Sequence, residues 1–164
     1  MTTPAGFRAW FERIDGTFVG FMAAFGIRLL RICLGIVFVW FGLLKLAGRS
    51  PVASLVAETA YWLPPDLVVP LLGVWEVAVG IGLLLRIALR LTLLLFWLLL
   101  AGTFLVLVLH PDVAFQQGNP LLLTVEGEFV VKNLVLIAAG LVVGSTVRRG
   151  RDEREAINAT QARR

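Results

Sequence analysis

The sequence predicts an all-α polytopic membrane protein, a four-transmembrane-helix bundle with an N-terminal amphipathic interfacial helix. Three observations carry that prediction. The 164 residues are 59% apolar with a mean hydropathy of +0.88, above the ~45–50% apolar content of soluble domains, and so small a globule has too much surface to hide the excess. Four apolar runs each have the ~20 residues that cross ~30 Å of hydrocarbon at ~1.5 Å per residue. The basic residues gather at one side of those runs.

The first element spans residues 5 to 25. Phe7, Trp10, Phe11, Ile14, Phe18, Phe21, Met22 and Phe25 recur at helical spacing, with Arg8, Glu12, Arg13 and Asp15 largely off that stripe. This pattern fits a helix lying in the membrane interface, or one packed on the bundle. The segment lacks the continuous apolar run and small-residue cleavage site of a signal peptide, so the spans themselves are expected to drive insertion. The spacing predicts spans over 27–46, 67–85, 91–109 and 129–146, giving an interfacial segment 1–26, a membrane domain 27–147 and a basic tail 148–164. No break and no internal repeat is expected within the spans.

Orientation follows from charge. Arg8, Arg13, Arg28, Arg31, Arg86, Arg90, Arg148, Arg149, Arg151, Arg154, Arg163 and Arg164 fall on one side, leaving Lys45, Arg49 and Lys132 for the other. Both termini are therefore expected in the cytoplasm, in a bacterial cytoplasmic membrane. The outer connections are long. One carries Pro51, Tyr61-Trp62 and Pro64-Pro65; the other has turn signals at His110-Pro111 and Gly118-Asn119-Pro120.

The formal net charge of +4 belongs to this bias, and no basic recognition module is present, so nucleic acid is not an expected partner. One cysteine, Cys33, excludes an internal disulfide, and one histidine, His110, excludes a bis-histidine haem within the chain. No His, Cys and carboxylate spacing suits a metal.

The polar residues within the spans carry the functional signal. In the first, Arg31, Gly35, Phe38, Gly42 and Lys45 share one face. In the second, Gly73, Glu76 and Gly80 do the same. Glu76 lies ~13 Å from either end, so it needs a partner or a proton. Arg31, Lys45 and Lys132 are all available, and two readings stay open: a buried ion pair that fixes helix register, or a ligand or proton site. In the fourth, Glu128 and Lys132 are one turn apart, Glu126 and Glu128 favour the helix N-terminus, Asn133 can bond a neighbouring helix, and Gly140 and Gly144 form a close-packing pair. The third span offers only Thr92 and Thr103. The first, second and fourth are thus expected to share a polar seam, with the third the most lipid-exposed.

These segments, "RICLGIVFVWFGLLKL", "GVWEVAVGIGLLL" and "EGEFVVKNLVLIAAGLVVG", resemble the DoxX-like family of small bacterial membrane proteins over residues 27 to 147. The last also looks like the related inner-membrane branch linked to reactive-chlorine resistance. The resemblance implies a four-helix bundle associated with quinone- or thiol-linked redox and oxidative-stress metabolism. It carries over to Arg31, Gly42, Lys45, Glu76, Gly80, Glu128, Lys132 and Asn133. No autonomous catalytic motif is present, so the chain would be at most a membrane subunit of an oxidoreductase. No covalently bound cofactor is expected; a quinone is the candidate ligand of the seam. The expected partners are the lipid bilayer, a soluble or membrane oxidoreductase and a second copy of the chain. The rival readings are a non-enzymatic scaffold that recruits a soluble oxidoreductase and a small proton-coupled transporter.

Overall fold

A computed structural model describes the backbone of residues 5–161 and the side chains of residues 15–16 and 19–147. The helices are α1 (Ala5–Leu46), α2 (Ala53–Thr59), α3 (Pro65–Leu85), α4 (Leu89–Thr103), α5 (Leu105–Leu109), α6 (Pro111–Ala114), α7 (Val125–Val131) and α8 (Asn133–Gln161). Four stretches are long and apolar enough to cross a membrane: Val19–Leu46, Pro65–Leu85, Leu89–Leu109 and Val125–Val147. No strand occurs among the described residues.

The segment expected to lie in the interface and the first span form one helix, α1, of 42 residues. No proline divides them, and Gly16, Gly20 and Gly26 do not suffice to end a helix held by apolar packing further on. The stripe at Phe7, Trp10, Phe11, Ile14 and Phe18 lies outside the described side chains. Val19, Phe21, Met22 and Phe25 are exposed. The tail is helical as far as Gln161, continuous with the fourth span.

The four spans close a ring in which α1 meets α3, α3 meets α4, α4 meets α8 and α8 returns to α1. A tight turn over residues 86–88 joins α3 to α4 as antiparallel neighbours, while the other two connections between successive spans are long. The core joins Leu34 and Phe38 of α1, Val79 and Leu83 of α3, Leu93, Phe96, Leu99 and Leu100 of α4, and Ala139 and Val143 of α8. At its centre the rings of Phe38 and Phe96 lie 5.0 Å apart.

This core corrects the expectation for the third span. It is not the most lipid-exposed: 33% of an 18-residue apolar stretch within it is buried, against 22% for the first span and 28% for the fourth. Its sequence, apolar but for two threonines, gave no sign of an inner face, because a helix surrounded by lipid needs no polar marker to be packed. Thr92 is also buried, donating to the Ile87 carbonyl at 2.9 Å and closing the tight α3–α4 turn. That turn holds Arg86 and Ala88 in the left-handed region, at φ 57° and 42°.

The expectation of unbroken spans is also corrected. Phe104 interrupts the third and Lys132 the fourth. Both residues keep right-handed helical dihedrals, so the chain tightens rather than unwinds. Leu107 N–H donates to Phe104 O at 3.1 Å and Val135 N–H to Lys132 O at 3.0 Å, three residues back instead of four. Neither site has the proline that would announce it in sequence.

The long connections pack as a layer over one end of the bundle. Thr124 caps α7, accepting from Gly127 N–H at 3.1 Å and donating to Val113 O at 2.5 Å. Its own N–H reaches Ala114 O at 3.1 Å. Gly127 is required here, since a Cβ would fall 2.1 Å from the Ala114 carbonyl oxygen.

Candidate functional site

The α1–α3 contact is built on four glycines. A Cβ on Gly42 would lie 2.5 Å from Gly73 O, and one on Gly80 would lie 2.7 Å from Gly35 O. The seven-residue spacing on both helices therefore pairs Gly35 with Gly80 and Gly42 with Gly73 in antiparallel register. Without side chains at these points the backbones come close enough for each carbonyl to meet the opposite Cα.

That register explains how Lys45 reaches Glu76. Counting from the glycine pairs, the two residues are offset by about six positions, ~9 Å of helix rise. Side chains lean toward the N-terminus of their own helix, and in antiparallel neighbours they lean toward each other. Lys45 crosses over Gly73, where a Cβ would sit 3.0 Å from its own Cβ. Its ammonium donates to both carboxylate oxygens of Glu76, at 2.8 and 2.7 Å. The side chains retain 6% and 11% of their exposure, so the pair is withdrawn from lipid at the middle of α3. It uses both Glu76 oxygens but only two of the three Lys45 N–H groups. The third has no partner among the described residues.

Of the three cations the sequence offered to Glu76, the structure chooses Lys45. Arg31 goes elsewhere: its guanidinium donates to the carbonyls of Leu83 and, at 2.9 Å, of Leu84, capping the C-terminal end of α3. Lys132 does not join the seam. It is exposed and pairs with Glu128 at 3.4 Å, one turn back along its own chain. A long side chain at a span end reaches water more cheaply than it reaches a buried partner. Glu126 and Glu128 do occupy the first turn of α7.

Asn133 is buried and bonds a neighbouring helix, donating to Thr103 Oγ1 at 2.9 Å, while Thr103 Oγ1 donates to Leu100 O at 2.7 Å. Thr103 and Asn133 are the residues beside the two span interruptions, so one hydrogen bond ties them together. Gly140 and Gly144 face α4 rather than the seam. A Cβ on Gly140 would fall 2.6 Å from the Phe96 ring and 2.8 Å from Trp97 Nε1. The expected single seam is thus three separate places: the Lys45–Glu76 pair, the Arg31 cap and the Asn133–Thr103 bond. Sequence reasoning missed Thr103, and the only signal was its being one of two hydroxyls in an apolar span. Among the described residues no group of three His, Cys, Asp or Glu could hold a metal.

The family model that matches is DoxX, over residues 26–110, just over half of the chain. The chain belongs to the DoxX family. The match takes in the first three spans, with both glycine pairs, Arg31, Lys45 and Glu76. The fourth span, with Glu128, Lys132 and Asn133, lies outside the DoxX match, although the resemblance read from sequence extended to residue 147. No curated protein and no solved structure matches the chain. As a DoxX protein with four apolar helices, it is a multi-pass membrane protein set in a lipid bilayer.

Proposed function

We propose that the chain is a membrane subunit in quinone- or thiol-linked redox metabolism, and that its Lys45–Glu76 pair is the site where a small carbonyl-bearing ligand such as a quinone is held. The observation that carries this reading is the buried ammonium with one N–H to spare. A neutral carbonyl oxygen can accept that N–H without displacing Glu76, and Glu76 can exchange a proton with a reduced ligand. An ion pair in mid-membrane is a poor way to gain stability, and intramembrane charges commonly mark function. The resemblance of "FVVKNLVLIAAG" to the reactive-chlorine branch supports the oxidative-stress side of the proposal. Redox chemistry itself would come from the ligand or from an oxidoreductase partner.

The test is a titration of the purified protein with a short-chain quinone, read by tryptophan fluorescence, since Trp75 is the neighbour of Glu76. Binding is expected in the native protein and is expected to weaken in Glu76→Gln and in Lys45→Met while both variants still insert and fold. An identical titration curve in all three would refute the site.

A second reading is favoured by the helical extension of α8 to Gln161 beyond its span: a scaffold whose cytoplasmic tail recruits a soluble oxidoreductase. Deleting residues 148 to 164 would then release the partner in a pull-down without altering the quinone titration.

A further inference from the structure

At the end of the bundle opposite to Lys45, arginine gathers without a neighbouring acid among the described side chains. The α3–α4 turn places Arg86 two residues past Leu84, whose carbonyl takes the Arg31 guanidinium. Arg86 lies close enough to Arg31 for the two positive charges to act on each other. Arg28 is one turn before Arg31 on α1, and Arg90 lies in the first turn of α4. Arg28, Arg86 and Arg90 are exposed and Arg31 is half-buried. Neither ion pair among the described side chains involves any of the four. Of the described carboxylates, Glu58, Asp66, Asp112, Glu126 and Glu128 belong to the connections and helix ends on the other side, Glu76 is taken by Lys45, and Asp15 is ~24 Å from Arg31 and ~20 Å from Arg28 along α1.

The donor count points the same way. Two N–H groups on one Arg31 nitrogen serve the Leu83 and Leu84 carbonyls, which leaves three of five for another acceptor. The carbonyls of a helix end offset part of one positive charge, not two. Arg86 also occupies a left-handed backbone conformation, which is unfavourable for a side-chain-bearing residue. A phosphodiester has two non-ester oxygens that a guanidinium fork binds side by side. The turn marks where the bundle meets the headgroups, and the charge bias assigns this end to the leaflet in which anionic lipid is enriched.

We infer that Arg31 and Arg86 form a binding site for the phosphate of an anionic phospholipid, seated at the α3–α4 turn with Arg28 and Arg90 on its rim. The acyl chains of that lipid would run along the exposed apolar surface of Ile32, Leu85 and Ile87.

Native mass spectrometry of the full chain in detergent, with phosphatidylglycerol, phosphatidylcholine or glycerol 3-phosphate added, tests this. The native protein should retain phosphatidylglycerol in preference to phosphatidylcholine and should not retain glycerol 3-phosphate. Arg86→Asn, chosen because asparagine tolerates the left-handed backbone, should bring the two lipids to parity. Arg31→Lys keeps the charge but loses the fork, and should lower phosphatidylglycerol retention; Arg86→Asn, which leaves the Arg31 cap in place, should do so while leaving thermal unfolding in phosphatidylcholine unchanged. Equal retention of both lipids by the native protein, or an undiminished preference in Arg86→Asn, would overturn the inference. Retention of glycerol 3-phosphate as strong as that of the lipid would replace it with a free-phosphate site.

Discussion

α1 meets α3 through glycines and a buried ion pair, whereas α4 meets α8 through aromatic rings laid over glycines and a single amide–hydroxyl bond. Both contacts use small residues, but to different ends. On the α1–α3 side glycine removes side chains from both helices, so the backbones touch and the register is fixed by carbonyl against Cα. On the α4–α8 side glycine appears on one helix only, and Phe96 and Trp97 of the other fill the space. The first contact has no slack and holds its charge pair at a set depth. The second can yield by turning a ring, and both of its spans carry a helical irregularity.

The comparison is broken most severely at the ion pair. Lys45→Met or Glu76→Leu alone leaves one buried charge without its partner, and each should cost about 3–5 kcal/mol of stability, measured by thermal or denaturant unfolding in detergent. The double variant Lys45→Met with Glu76→Leu should recover most of that loss. If it recovers stability while quinone binding stays absent, the pair serves function rather than fold.

Glycine substitutions come next. Gly42→Ala should destabilise by about 1–3 kcal/mol, because its Cβ meets the Gly73 backbone, which cannot move aside. Gly140→Ala should cost less, since its neighbours are ring atoms of Phe96 and Trp97. Gly102→Ala, which has open space around it, should leave the melting temperature unchanged or slightly raised. Equal losses at Gly42 and Gly140 would show that the two contacts are equally rigid.

Smaller effects are expected at the irregular spans. Asn133→Ala or Thr103→Val should each cost about 0.6–1.7 kcal/mol, the range of interhelical hydrogen bonds in membranes, and the double variant should cost no more than the larger single. Hydrogen exchange of residues 105 to 131 should rise in these variants if the bond restrains the two interruptions. Lys132→Ala should change stability by less than about 0.5 kcal/mol, because its pair with Glu128 is exposed.

The legibility of each feature follows from its physics. Glycine at seven-residue spacing on two spans announced a close helix pair, because nothing else explains small residues in register on an apolar face. Glu76 announced a partner, because a carboxylate at that depth cannot be left alone. For Lys132 the reasoning divided: its pairing with Glu128 one turn back was legible and is what the structure shows, whereas its membership of the seam failed, because a residue one turn from the end of a span has water within reach. It also failed for the third span, where leucine-rich sequence carries no mark of which side faces in. Thr92, Thr103 and Gly127 were illegible because each acts through one specific contact, with the Ile87 carbonyl, Asn133 and the Ala114 carbonyl, that exists only once distant segments are together.

By itself the sequence determined the solvent, the number of spans, the family resemblance and the faces of α1 and α3 that meet. All of these depend on hydropathy and on periodicity along one helix, which are properties of local sequence. The tertiary structure decided which cation answers Glu76, where Arg31 and Lys132 go, and that Asn133 reaches across to Thr103. Those outcomes depend on the register and depth of one helix against another. They are set by carbonyl-to-glycine contacts of a few ångströms that no single segment contains.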